Sequence, residues 1–217
     1  HLRARFSQPG PKRILALDGG GARGLLTLGV LQKLEDELGR RSGNPGTFRL
    51  AHYFDLIGGT STGSIIATTL ALEWKVRDIV DLYFELLPSI FASPQVPSFL
   101  RVFVPGFSNA ALTKALNQHL GDETLNSELL KTGLAIHAKR IDTGSAWVVT
   151  NHPLGAFYDP PGDSGIFPNK RYRLIELVPA SPAAPTFFDE VVIDIEYDDR
   201  RHPIQQVQPP AEGWPRR

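Results

Sequence analysis

Neither cysteine nor methionine occurs among the 217 residues, and neither sign of charge is in excess, with Lys plus Arg and Asp plus Glu at 23 each. Without cysteine there is no disulfide framework, no thiolate metal site and no thiol nucleophile, which fits a cytoplasmic protein. The charge balance removes the electrostatic case for a nucleic-acid partner. No run approaches the roughly 18 apolar residues that a membrane-spanning helix needs. The opening residues, His1-Leu-Arg-Ala-Arg-Phe6, lack the apolar core of a signal peptide and read in part as a tag remnant. The lack of methionine over this length, initiator included, predicts that residues of the natural polypeptide are missing from the sequence. What is present is an ordinary globular composition, 41% apolar and 21% charged. That is enough for one sizeable core, read as a single α/β domain over 1–217 with no internal repeat.

Two glycine-rich turns stand out, each between a short apolar run and a helical pattern. The first run, residues 12–17, leads into Asp18-Gly-Gly-Gly-Ala-Arg-Gly24 and then a helix with Leu25, Leu28, Leu31, Leu34 and Leu38 on one side. Strand, glycine loop and helix start together make an anion cradle, because backbone N–H groups point outward with no side chains to block approach. The second run, residues 53–57, reads as a buried strand. It is followed by Gly59-Thr-Ser-Thr-Gly63 and a helix over 64–74, with Ile65, Ile66, Thr69, Leu70 and Leu72 as its buried face. This G-x-S-x-G match sits where the motif has a mechanism, at a strand-to-helix turn. There Gly59 and Gly63 let the chain turn tightly and hold Ser61 out at the tip as a nucleophile. A bland Gly/Ser turn is the competing reading.

Gly19, Gly21 and Gly24 also fit a dinucleotide fingerprint, but the acids at the required offset, Glu35 to Glu37, fall inside the predicted helix. A phosphate-binding P-loop fails, since no Gly-Lys-Ser/Thr follows.

The remaining chain alternates similarly. A packing helix is expected over 76–87, a further helix over 109–120, strands over 132–140 and 146–150, and a loop over 151–170. A helix over 172–178 and a late strand at 191–195 complete the pattern, and the tail from Asp198 is charged and Pro-rich. Residues 88–108 combine four prolines with many large apolar side chains. They read either as a loop tucked against the core or as a cover that binds acyl chains.

Asp-Gly-Gly-Gly-x-Arg-Gly followed by Gly-x-Ser-x-Gly, with Phe54-Asp-Leu-Ile-Gly-Gly-Thr-Ser-Thr-Gly63 and Ala180-Ser-x-Ala-Ala-Pro-Thr-Phe187, resembles the patatin-like phospholipases over residues 13–188. The resemblance implies a three-layer α/β/α fold with a mainly parallel sheet and a lipid acyl hydrolase that uses a Ser-Asp dyad. It implies Ser61 as nucleophile and an oxyanion hole in Gly19, Gly20 and Gly21, with Arg23 and Gly24 completing the motif. Prealigned N–H donors of this kind stabilise a developing oxyanion by about 3–4 kcal/mol each. Neither a metal nor an organic cofactor is expected. The expected partners are a lipid substrate and, transiently, a membrane surface, and the sequence carries no mark of oligomeric state.

The sequence departs from the family where the aspartate should follow. Asp18 is the only aspartate followed by glycine, whereas Asp189, Asp194, Asp198 and Asp199 lie in the right region without it, and Pro179 stands where relatives usually carry arginine. This predicts a domain incomplete at or near its C-terminal end. A Ser-Asp-His triad through Asp142 and His152 satisfies chain order alone. A catalytically inactive lipid-binding or regulatory module of the same fold is the alternative function.

Overall fold

Among the described residues four short strands form one sheet in the order β1 (Ile14–Leu17), β2 (Leu56–Thr60), β3 (Gly133–Lys139) and β4 (Ala146–Thr150). The computed structural model describes residues 1–91, 116–140, 143–162, 164–181 and 193. β1 pairs parallel with β2, β2 parallel with β3, and β3 antiparallel with β4, so the expected mainly parallel sheet is present. The helices are α1 (Leu2–Ser7), α2 (Gly24–Arg41), α3 (Leu50–Tyr53), α4 (Thr62–Ala71), α5 (Val76–Phe91) and α6 (Leu174–Ala180). Residues 116–120 are also helical, in line with the helix expected over 109–120. The late strand, the aspartates after 188, Asp142 and most of the apolar 88–108 segment lie outside the described residues.

α4 is the centre of the core. All ten of its residues are buried, although the sequence suggested only one apolar face. It packs on β2 and β3, and its buried polar residues Ser64 and Thr69 turn their hydroxyls onto backbone carbonyls of Ser61, Ile65 and Ile66. Its end at Ala71 comes earlier than the expected Trp74. Glu73 takes a left-handed φ of 64°, its N–H bonds to Leu70 O at 3.0 Å, and the Trp74 N–H bonds to Thr69 O at 3.1 Å. That pair of bonds is a Schellman stop, built here without the usual glycine.

Glu35 on α2 is buried, and its Oε2 accepts the N–H of Val76 at 3.0 Å, capping α5 from another helix. Burial raises the pKa of this carboxyl above its ordinary value, against the lowering effect of that bond. Gly24 packs on Tyr83 at the other end of the pair, so α2 and α5 run antiparallel.

The strand expected over 53–57 is a correction. Residues 50–53 form α3, and β2 begins only at Leu56. The cause lies far off in sequence. The Arg5 guanidinium donates to the carbonyls of Ala51 (3.0 Å), His52 (3.1 Å) and Phe54 (2.8 Å), satisfying the end of a helix too short to hold itself. It also pairs with Asp55 at 2.9 Å, while Asp55 Oδ2 accepts the Arg13 N–H at 2.8 Å. The opening residues pack against the rest of the chain. Phe6 stacks on His152 with ring centroids 4.1 Å apart, and His1 Nε2 contacts Leu130 O at 3.0 Å.

Partial burial pushes the Asp55 pKa upward, but the Arg13 N–H and the Arg5 guanidinium outweigh it and hold the carboxyl below its usual value. A depressed folded pKa stabilises the fold above the unfolded value and is lost as pH falls through the folded one. Asp55→Asn is expected to lower stability by about 1.5–3 kcal/mol at pH 7. Denaturant titrations of the two proteins should converge below about pH 4.

Candidate active site

The parallel register sets Leu17 beside Gly59, so the C-terminal ends of β1 and β2 are neighbours and the two glycine turns emerge side by side. Loops at the carboxyl ends of parallel strands are where α/β sheets bind ligands.

Ser61 follows the last residue of β2 and directly precedes α4. Its φ of 55° and ψ of −127° are those of the first central residue of a type II′ turn, normally a glycine position. Such a conformation costs on the order of 1–3 kcal/mol and persists only where the surroundings impose it. The Ser61 N–H donates to Ser181 Oγ at 2.8 Å, and its carbonyl accepts both the Ser64 N–H at 2.9 Å and the Ser64 hydroxyl at 2.6 Å. The flanking glycines permit the turn by close approach. A Cβ on Gly59 would lie 2.2 Å from Gly63 O, and one on Gly63 would lie 2.3 Å from Leu17 O. The Ser61 side chain is partly exposed, and among the described residues nothing hydrogen-bonds to its hydroxyl.

The first glycine loop lies directly against this serine. A Cβ on Gly19 would sit 2.7 Å from Ser61 Cβ and 3.5 Å from Ser61 Oγ. The residues grouped together by sequence have different surroundings. The Gly19 and Gly21 N–H groups make no hydrogen bond among the described residues. The Gly20 N–H donates to Thr62 Oγ1 at 3.2 Å, tying the loop to the serine turn. Arg23 is exposed at the end of a 3-10 turn over Gly21–Arg23, with its N–H on Gly20 O at 3.1 Å. Gly24 serves packing: a Cβ there would lie 2.7 Å from Tyr83 Cε1.

Tyr83, Thr62, Ser64 and Ser181 were not singled out by sequence. The buried Tyr83 hydroxyl donates to Thr62 O at 2.9 Å, so α5 presses on both turns at once. Burial raises the Tyr83 pKa, and the phenol stays protonated. The available signal was chemical, since a tyrosine on a buried helix face needs a partner for its hydroxyl. Ser181 lay within the Ala180-Ser181 motif, but nothing in the sequence told what its hydroxyl touches.

Of the alternative triad, His152 stacks on Phe6 and its Nδ1 accepts the Leu154 N–H at 3.2 Å. The His137 ring lies near the backbone of Gly58, without a bond to Ser61. Among the described residues no group of three or more His, Asp or Glu side chains could hold a metal ion.

The strain at position 61 should be measurable. Ser61→Gly is expected to be about 1 kcal/mol more stable than Ser61→Ala, because only glycine adopts this φ freely. Denaturant melts of the two variants check it. Gly63→Ala should cost about 3 kcal/mol or more, since the new methyl meets backbone that cannot move aside.

The sequence matches the family model described as patatin-like phospholipase over residues 15–205. It is 32% identical over 184 residues to a cGAMP-activated phospholipase of Vibrio cholerae, covering 81% of this chain and 49% of that protein. A cUMP-AMP-activated phospholipase of Escherichia coli is 35% identical over 185 residues, 83% of this chain and 50% of the relative. Patatin-T5 of Solanum tuberosum is 31% identical over 182 residues, 81% of this chain and 42% of the relative. The chain thus spans about half the length, or somewhat less, of these relatives. With both glycine turns in place and the family model covering most of its length, the chain belongs to the patatin-like phospholipase family.

Proposed function

We propose that this chain carries the acyl-hydrolase site of a lipid hydrolase, with Ser61 as nucleophile. One observation carries the reading. A non-glycine residue is held at a φ of 55° at the junction of a parallel strand and a buried helix, against a glycine loop with free N–H groups. Strain of this kind is retained where it serves function.

In the proposed reaction Ser61 Oγ attacks the carbonyl carbon of a lipid ester, and its proton passes to a base. The carbonyl oxygen becomes an oxyanion, stabilised by the N–H groups of Gly19 and Gly21 and by the positive end of the α4 dipole. The bond from carbonyl carbon to alcohol oxygen then breaks, the alcohol leaves with a proton, and water hydrolyses acyl-Ser61. Gly20 assists by holding the loop on Thr62. The base is proposed to be a carboxylate beyond Ser181, completing a Ser-Asp dyad, in keeping with the family likeness. The substrate class follows from that likeness too, since the relatives include proteins named as phospholipases. Among the described residues no helix is long and apolar enough to cross a membrane, so the lipid is proposed to be met by transient surface contact.

The test is turnover of a short-chain p-nitrophenyl ester by the complete protein. Ser61→Ala is expected to lower kcat by about 1,000-fold or more, as loss of a nucleophile does. A fluorophosphonate should label Ser61 alone. Binding to phospholipid vesicles with no turnover and no labelling would instead identify the inactive lipid-binding module.

A further inference from the structure

Ser181 stands at the end of α6, separated by 120 residues from the serine whose backbone it touches. Its hydroxyl has one proton and two lone pairs. The proton goes to the carbonyl of His137 on β3, and a lone pair accepts the Ser61 N–H at 2.8 Å. Because the proton is already committed, the hydroxyl cannot rotate without breaking one of the two bonds. β2 ends at Thr60 and α4 starts at Thr62, so the amide between them has no ladder or helix partner of its own. The II′-like turn directs that amide toward α6. The Ser181 N–H closes the end of α6 on Leu177 O at 3.3 Å, and Ser64 Oγ reaches Val178 O at 3.5 Å, so α6 meets the turn through a second contact besides the Ser181 side chain.

We propose that Ser181 is a positioning residue for catalysis: by accepting the Ser61 amide it locks the strained backbone that aims Ser61 Oγ at the substrate carbonyl. The proposal rests on the reading of Ser61 as nucleophile. Without the Ser181 hydroxyl, the Ser61 amide loses its acceptor and the turn gains local play, enough to displace the side chain by about 1 Å relative to the Gly19–Gly21 loop. Substrate binding need not change, because Ser181 acts only through the Ser61 backbone. The loss should therefore fall on kcat and not on KM.

The experiment compares wild-type complete protein with Ser181→Ala, Ser181→Thr and Ser61→Ala. It uses p-nitrophenyl butyrate for turnover, a fluorophosphonate for the labelling rate, and a thermal melt. A misplacement of about 1 Å at a reacting group lowers the rate by about 100-fold, and Ser181→Ala is expected to lose about 10- to 100-fold in kcat per labelled serine. KM should be unchanged and the labelling rate should fall by the same factor. Ser181→Thr keeps the hydroxyl and should recover most of both. Wild-type kcat in Ser181→Ala overturns the proposal, as does a loss confined to melting temperature or a deficit that Ser181→Thr shares in full. Those outcomes, with Ser61→Ala inactive, leave the nucleophile reading standing. Undiminished turnover in Ser61→Ala would remove that reading, and the role of Ser181 with it.

Discussion

Ser61 occupies a backbone conformation that an L-residue leaves unless its neighbours forbid it, and much of the surrounding structure supplies that restraint. The turn has β2 ending on one side and buried α4 starting on the other, so neither φ nor ψ can relax without moving an element of the core. Gly59 lies so close to the other arm of the turn, and Gly63 so close to the end of β1, that neither position has room for a methyl group. The Ser61 N–H and carbonyl are both hydrogen-bonded, one across the molecule and the other within the first turn of α4. A penalty on the order of 1–3 kcal/mol is easily held by a site restrained at so many points.

The neighbouring glycine loop is placed by the same logic. Parallel register brings Leu17 level with Gly59, so the chain leaving β1 must pass the serine turn. The Gly20 N–H closes on Thr62 Oγ1, and Tyr83 closes from behind on Gly24 and on Thr62 O. Among the described residues the Gly19 and Gly21 amides of this loop take no hydrogen-bond acceptor.

The opposite end of β2 is held by charge. Arg5 gathers three carbonyls at the end of α3 and pairs with Asp55, which in turn takes the amide of Arg13 just ahead of β1. Guanidinium suits this task because its donors form a rigid planar fork. The entries to β1 and β2 are thereby fixed to one another, and the register that places the two glycine turns together is defended at both ends. Glu35 performs a related task for α5, reaching from α2 to cap it at Val76.

The sequence by itself determined the elements whose cause is local. The apolar run before the first glycine turn, the leucine spacing of α2, the turn chemistry around Ser61 and the strands at 133–139 and 146–150 all depend on neighbours in the chain. Composition and periodicity therefore reveal them. The same locality explains why Gly19 to Gly24 read as one motif, although Gly24 proves to be a packing contact for Tyr83. Tertiary structure alone decided what depends on partners far apart in sequence. The stretch at 50–53 became a helix because Arg5 satisfies its terminal carbonyls. Ser181 acquired the Ser61 amide because α6 docks where β3 ends. A hydrogen bond spanning 120 residues leaves no periodic trace, since its donor and acceptor are ordinary groups until the fold brings them within 2.8 Å.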